Sequence, residues 1–148
     1  MSDKIEFHVM DPHEEQEDWA IQFFPGISLK CLRILINGHD FINIVNDTEQ
    51  EKCGVKYGYG HPQIGYVTYD LKDSQGEDGC TERELMPFCC IGCGDQGCCT
   101  FRGKWHEEDG YVVWHGFSSN ALDDYGLEFR FEKEDYYRKI DRIEEMAG

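Results

Sequence analysis

The sequence predicts an α+β fold, a mostly antiparallel β-sheet with hairpins and one C-terminal α-helix packed on that sheet. Short apolar segments alternate with polar residues at the two-residue period of a strand. Asn37-Gly38 and Asp109-Gly110 are typical of hairpin turns, and residues 133–146 have the apolar stripe of a helix. With 148 residues, no internal repeat and no linker-like stretch, we expect a single domain, 1–148.

The first half of the chain has the pattern of strands joined by turns. In residues 5–10, Ile5, Phe7 and Val9 alternate with polar side chains, and an acidic loop follows at 11–18. Asn37-Gly38 joins two apolar runs, and both residues tolerate the positive φ of a tight hairpin turn. Further strands are predicted at 19–24, 29–36, 41–45 and 64–70, with a Gly-containing loop at 46–62.

The second half alternates strands and loops before the only predicted helix. Loops are predicted at 71–80 and 118–126, and strands at 85–90, 98–106, 111–117 and 127–131. The helix begins near Lys133, where acidic residues favour the positive end of the helix dipole. Tyr136, Ile140 and Ile143 form its apolar stripe, which we expect to dock on the sheet.

The net charge restricts the partners of this chain. Thirty acidic residues against fourteen lysines and arginines give −16. Such a field repels nucleic acid and anionic membranes, whereas it attracts basic proteins. No apolar run approaches the ~20 residues of a membrane span, and the N-terminus lacks the profile of a signal peptide. We therefore expect a cytoplasmic protein with a basic protein partner, and neither nucleic acid nor membrane as partner.

Five of the eight cysteines fall within residues 89–99, Cys89-Cys90-Ile91-Gly92-Cys93-Gly94-Asp95-Gln96-Gly97-Cys98-Cys99. One interpretation is a zinc site. Neighbouring residues of a strand point to opposite faces, so each Cys-Cys pair offers one thiol to a shared centre. The predicted metal ligands are therefore Cys90, Cys93 and Cys98 with His106 as the fourth, His115 being the alternative.

Two other interpretations of the cysteine turn need no metal. Cys90 and Cys93 have C-x-x-C spacing, and a regulatory disulfide between Cys93 and Cys98 is sterically conceivable. The residues that follow Cys93 are turn formers, however, and do not begin a helix that would activate a thiol. The third interpretation is structural: Cys93, Gly94, Gly97 and Cys98 form a tight turn packed with small side chains.

Familiar catalytic motifs are absent from the sequence. It contains no phosphate loop, no G-x-S-x-G, no H-E-x-x-H and no dinucleotide fingerprint. His106 and His115 lie on either side of the Asp109-Gly110 turn and could meet across that hairpin. Because such cross-strand polar pairs are common without catalysis, no reaction class follows, and a binding protein is favoured over an enzyme.

The turn Cys93-Gly94-Asp95-Gln96-Gly97-Cys98 and the strand Val112-Val113-Trp114-His115-Gly116-Phe117 resemble those of a group of small bacterial proteins. That group shares a CG-x-x-GC turn followed by a V-x-W-x-x-F strand. Residues 127–136 are similar to the aromatic and acidic start of its C-terminal helix, and residues 32–41 to its early hairpin. The group often has a further cysteine where this chain has Ile91. The resemblance implies a fold and no established activity.

Small acidic domains of this kind also resemble immunity proteins, which neutralise a toxin by covering its active site. The leading expectation is accordingly a non-enzymatic acidic binding protein that inhibits a basic, nuclease-like bacterial toxin. The alternative is a zinc-stabilised module built on the cysteine turn. Interface hot spots favour Tyr and Trp, so the candidate partner-binding residues are Tyr57, Tyr59, Trp105 and Tyr125.

Overall fold

The computed structural model describes residues 2–54, 58–72, 82–94 and 100–147. These residues form an α+β fold with antiparallel sheets and a C-terminal helix packed on them, as predicted. No helix in these four ranges has both the length and the apolar character needed to cross a lipid bilayer. The elements in chain order are β1 (Ile5–Met10), α1 (Asp18–Phe23), β2 (Cys31–Ile36), β3 (His39–Asp40), α2 (Phe41–Cys53), β4 (Tyr59–Gly60), α3 (Ile64–Lys72), β5 (Arg83–Leu85), β6 (Cys89–Cys90), β7 (Arg102–Glu108), β8 (Tyr111–Ser118), β9 (Phe129–Glu132) and α4 (Lys133–Ala147).

The strands belong to three sheets, ordered β1-β2-β3, β4-β6 and β5-β7-β8-β9, and every strand pair is antiparallel. Asp3 joins the first sheet to the third, because its N–H donates to the Arg130 carbonyl over 2.7 Å. The predicted strand 85–90 is in fact two short strands in different sheets: β5 pairs with β7 and β6 with β4.

Both predicted hairpin turns are confirmed. Asn37 and Gly38 have φ values of 53° and 84°, and Asp109 and Gly110 have 50° and 85°. A two-residue turn with positive φ at both positions matches the right-handed twist of its strands. The strand after the first turn nevertheless has only two residues, His39 and Asp40, and α2 begins directly after it.

Helix α2 overturns the predicted strand at 41–45 and residues 46–53 of the predicted loop at 46–62. Asp40 caps it, since its Oδ1 accepts a hydrogen bond of 2.9 Å from the Ile42 N–H, and Gly54 ends it in the left-handed conformation. Phe41, Val45 and Glu49 are buried at intervals of four residues, which is the spacing of one helix face and not of a strand.

The predicted strands at 19–24 and 64–70 are also wrong, because they form α1 and α3. In α1 the buried residues Trp19 and Ala20 are adjacent, whereas a half-buried strand buries alternate residues. In α3 the buried residues are Val67 and Leu71, one helical turn apart. The described residues therefore contain four helices rather than the one that was expected.

Helix α4 confirms the predicted C-terminal helix and its docking stripe. Tyr136, Ile140 and Ile143 are buried, and the helix contacts β1, β8, β9 and α3. Lys139 donates to the Ile5 carbonyl over 2.7 Å, which fixes the helix to β1. The core between these elements is largely aromatic, and Phe41 lies within 6.0 Å, centroid to centroid, of Phe88, Phe101, Trp114, Phe117 and Phe129.

We expect Tyr136→Phe to lower the free energy of unfolding by about 1–3 kcal/mol, measured by urea denaturation. The buried Tyr136 hydroxyl donates to the Leu71 carbonyl over 2.6 Å and accepts from Trp114 Nε1 over 3.3 Å, so its removal leaves buried polar groups without that partner. Tyr137→Phe is the matched control, because the Tyr137 hydroxyl meets Glu107 at the surface. Equal losses in the two variants would contradict the prediction.

Candidate functional site

Three of the four predicted metal ligands, Cys90, Cys93 and His106, belong to the residues that the structure describes. Cys90 belongs to β6, Cys93 is exposed in the turn that follows, and Cys98 lies outside the described residues. His106 is on β7, where it approaches Glu82 and His115. A zinc site formed by Cys90, Cys93, Cys98 and His106 therefore stays a prediction, while the structure gives His106 another set of neighbours.

The described part of the cysteine turn supports Trp19. Gly94 donates its N–H to the Cys90 carbonyl over 2.8 Å, and the Trp19 N–H donates to the Ile91 carbonyl over 3.0 Å. Gly94 has a φ of 77°, and a Cβ at this position would lie 2.3 Å from the Trp19 ring. Glycine is required here both by backbone conformation and by space. This agrees with a structural role for Gly94, whereas Gly97 and Cys98 of the same predicted turn lie outside the described residues.

A buried ionic cluster surrounds His61, which the sequence predictions had placed in a loop. His61 Nδ1 lies 2.7 Å from Glu17 Oε2, and its Nε2 lies 3.0 Å from Asp40 Oδ2. Glu17 Oε1 also accepts from the His61 N–H over 2.8 Å and from Trp19 Nε1 over 3.0 Å. Arg33 Nε lies 3.3 Å from Asp40 Oδ2, which adds a second positive charge.

The cluster holds His61 in its charged form. Burial alone would lower the pKa of His61, but the hydrogen bonds to Asp40 and Glu17 outweigh it and raise the pKa to about 9. Burial likewise opposes ionisation of Asp40, yet its bond with His61 keeps the pKa of that carboxyl below the ordinary value. Both ring nitrogens of His61 face carboxylates, so the ring is not available as a general base or a metal ligand. The cluster is a structural clamp that fixes the segment around α1.

In the segment that the clamp holds, exposed acidic and apolar side chains lie close together in sequence. Ile21, Phe23 and Ile27 are 49%, 53% and 55% exposed, which is unusual for large apolar residues so close in sequence. Acidic side chains precede them in the chain. We call this surface the α1 patch, formed by the exposed residues Glu14, Glu15, Asp18, Ile21, Phe23 and Ile27.

The structure describes three of the four predicted partner-binding aromatics. Trp105 and Tyr125 are buried, so that prediction is wrong for both. Tyr59 is half-buried, and its hydroxyl and that of Tyr125 each donate to Glu49 Oε2 over 2.5 Å. These tyrosines satisfy a buried carboxylate inside the molecule. Tyr57 lies outside the described residues.

A second cluster contains residues with the chemistry of metal ligands. His106 and His115 meet across the β7–β8 hairpin with ring centroids 5.0 Å apart, so the predicted encounter of the two is confirmed. Glu82 lies against both: His106 Nδ1 is 3.3 Å from Glu82 Oε2, and His115 Nε2 is 3.0 Å from Glu82 Oε1. Within the part of the chain that the structure describes, this is the only group of three His, Cys, Asp or Glu residues whose ligand atoms all lie within 4.8 Å.

Sequence reasoning missed Glu17, Asp40, His61 and Glu82. Asp40 carried a usable signal, because an Asp directly before an apolar run at helical spacing is typical of a helix N-cap. The other three gave none, since Glu17 and His61 are 44 residues apart and Glu82 and His115 are 33 apart. Pairs so distant in sequence are brought together by the tertiary fold alone.

We expect the stability of this protein to decline above neutral pH because of His61. Its pKa rises from an ordinary 6.5 to about 9 on folding, so the stabilisation is complete below about pH 6.5 and is lost as the pH rises through about 9. The shift corresponds to roughly 3 kcal/mol of unfolding free energy. Urea denaturation from pH 6 to 9.5 should show a smaller pH-dependence for His61→Gln than for the wild type. An unchanged pH-dependence in His61→Gln would contradict the assignment, and His8→Gln, at an exposed site, is the control.

We expect Gly94→Ala to destabilise the fold by at least about 2 kcal/mol, because the new Cβ would strain the backbone and overlap the Trp19 ring. Gly92→Ala is the matched control in the same turn. Its Cβ would meet only Cys90 Sγ, at 3.8 Å, which is ordinary contact. Urea midpoints measure both, and equal midpoints for the two variants would show that the turn does not support Trp19.

Comparison with protein-family models, with curated proteins and with solved structures finds no match to this chain. The resemblance of the cysteine turn and of the Val112–Phe117 strand to small bacterial proteins therefore stays an expectation. What the chain does must be argued from its own side chains.

Proposed function

We propose that this chain is a non-enzymatic acidic protein that binds a basic protein partner through the α1 patch. The observation behind the proposal is that three large apolar side chains, Ile21, Phe23 and Ile27, are about half exposed beside exposed acidic residues. An apolar centre with a polar rim is the composition of protein–protein interfaces. The occupant would be an immunity-type target, a basic nuclease-like toxin.

The patch is held in place before any partner arrives. Trp19 anchors α1 through two hydrogen bonds. Its Nε1 donates to Glu17, and its backbone N–H donates to the Ile91 carbonyl of the cysteine turn. His13 links the beginning of the segment to its end, because its ring bonds to Asp11 over 2.6 Å and to the Phe24 carbonyl over 2.8 Å. A surface ordered in advance loses less conformational entropy on binding. This supports a recognition surface rather than a flexible loop.

The charge of the molecule favours the same class of partner. A net charge of −16 attracts basic proteins and raises their association rate by roughly 10- to 10³-fold at low salt. The segment 11–18 adds five acidic residues and no Lys or Arg directly before the apolar ones. Nucleic acid and anionic membranes are disfavoured by the same charge. A cytoplasmic setting remains part of the proposal.

The test pairs this chain with purified candidate basic toxins, beginning with any that is encoded beside its gene. Purified chain and toxin should bind with an affinity that falls as the salt concentration rises, and co-expression should restore the growth of cells that make the toxin. A measurable complex without growth rescue would support binding of the toxin and contradict its inhibition. Absence of both binding and rescue would overturn the proposal.

We expect Phe23→Ala to weaken that complex by at least about tenfold, because truncation of a hot-spot side chain costs more than about 1 kcal/mol. The control is Tyr66→Ala, which removes a more exposed aromatic side chain from α3, outside the α1 patch. Isothermal titration calorimetry measures both variants. If Tyr66→Ala weakens binding and Phe23→Ala does not, the interface lies elsewhere on the protein.

A further inference from the structure

We propose that Glu82, His106 and His115 bind a divalent transition metal of the zinc class. This site differs from the predicted cysteine site, because none of its three ligands is a thiol. It is also independent of the α1 patch, since neither needs a residue of the other. Three neighbouring strands bring these side chains together, and their ligand atoms lie close to one another.

The sheet order puts the three side chains on one face. Lys104 is paired with His115 and His106 with Val113, so the two histidines are diagonal neighbours on β7 and β8. Arg83 is paired with Trp105, which brings Glu82, the residue before β5, beside His106. Trp105 points into the core, and therefore its neighbour His106 points outward. The antiparallel register thus delivers one carboxylate and two imidazoles to one outer spot.

The ligand atoms have nearly the spacing that zinc requires. Ligands about 2.0–2.1 Å from a tetrahedral zinc lie roughly 3.3 Å from one another. Glu82 Oε2 lies 3.3 Å from His106 Nδ1 and 3.1 Å from His115 Nε2. All three ligand atoms fall within 4.8 Å of one another, which is close enough for them to share one metal ion.

The surroundings suit a bound cation. Glu108 Oε1 lies 3.9 Å from His106 Nε2, the ring nitrogen that does not face Glu82, and adds negative charge nearby. The side chains of His106, His115 and Glu82 are 23%, 28% and 34% exposed, which leaves an approach for the metal and a position for water.

Two histidines and one carboxylate are the protein ligands of many catalytic zinc sites, which keep a fourth position open. Cysteine-only ligands, in contrast, are typical of closed structural sites. The proposed site therefore belongs to the open class by composition. The proposal is limited to binding of the metal.

The experiment titrates zinc, and then cobalt as a spectroscopic probe, into the full chain after chelator treatment under reducing conditions. We expect His106→Gln/His115→Gln to lose one metal equivalent, and Glu82→Gln to weaken that equivalent by at least about 100-fold. Loss of a ligand costs more than the ~10–100-fold typical of a group that only orients one. The cobalt complex of the site should lack the intense charge-transfer absorption of thiolate ligands.

Two controls separate this site from the cysteines and from misfolding. His8→Gln and Cys90→Ser/Cys93→Ser should retain the equivalent that the His106/His115 variant loses. Far-ultraviolet circular dichroism and urea midpoints establish that the variants are folded, and the metal alone should raise the midpoint of the wild type and not of the double variant. Equal stoichiometry in wild type and His106→Gln/His115→Gln, or a thiolate absorption band abolished by Cys90→Ser/Cys93→Ser as the only metal signal, would overturn the proposal.

Discussion

The ion pair between Asp40 and His61 links the start of α2 to the segment that precedes α3. Asp40 uses one carboxylate oxygen to cap α2 and the other to bind His61. Capping fixes where the helix begins, and Phe41, the next residue, enters the middle of the aromatic core. His61 uses its second nitrogen to hold Glu17, which in turn holds Trp19. Burying these charges is costly, and the cluster is tolerated because each charge has an opposite partner within hydrogen-bond distance.

These contacts hold Trp19 in the interior, whereas Ile21 and Phe23 of the same helix are exposed. Trp19 lies between the cysteine turn and the Glu17 carboxylate, and the exposed apolar residues of α1 follow it directly. The cysteine-rich segment is the most unusual feature of the sequence. In the part that the structure describes, it supports α1 through Gly94, which packs closely against the Trp19 ring. Cys31 packs in a buried cluster with Trp19. Burial raises the pKa of the Cys31 thiol to about 12, so this cysteine is inert at neutral pH.

The two proposed binding sites depend on different properties of the same acidic chain. The α1 patch combines apolar side chains with exposed carboxylates and suits a large basic surface. The Glu82–His106–His115 cluster concentrates nitrogen and oxygen ligands at one spot of a regular sheet and suits a single cation. The first depends on a clamp that fixes an irregular segment, and the second depends on strand register. Damage to the clamp should therefore leave the metal ligands in place.

The sequence was enough to predict the fold class, both hairpin turns, β1, the strands around Asp109-Gly110 and helix α4, because those features depend on local periodicity and turn chemistry. It also brought His106 and His115 together, since one short hairpin relates them. It misassigned α1, α2 and α3, where short apolar runs fit either period and burial decides between them. Only the tertiary structure placed His61 between Glu17 and Asp40, buried Trp105 and Tyr125, and brought Glu82 to the histidines. Those contacts join residues far apart in sequence, and no local pattern encodes a contact that forms only when separate elements pack.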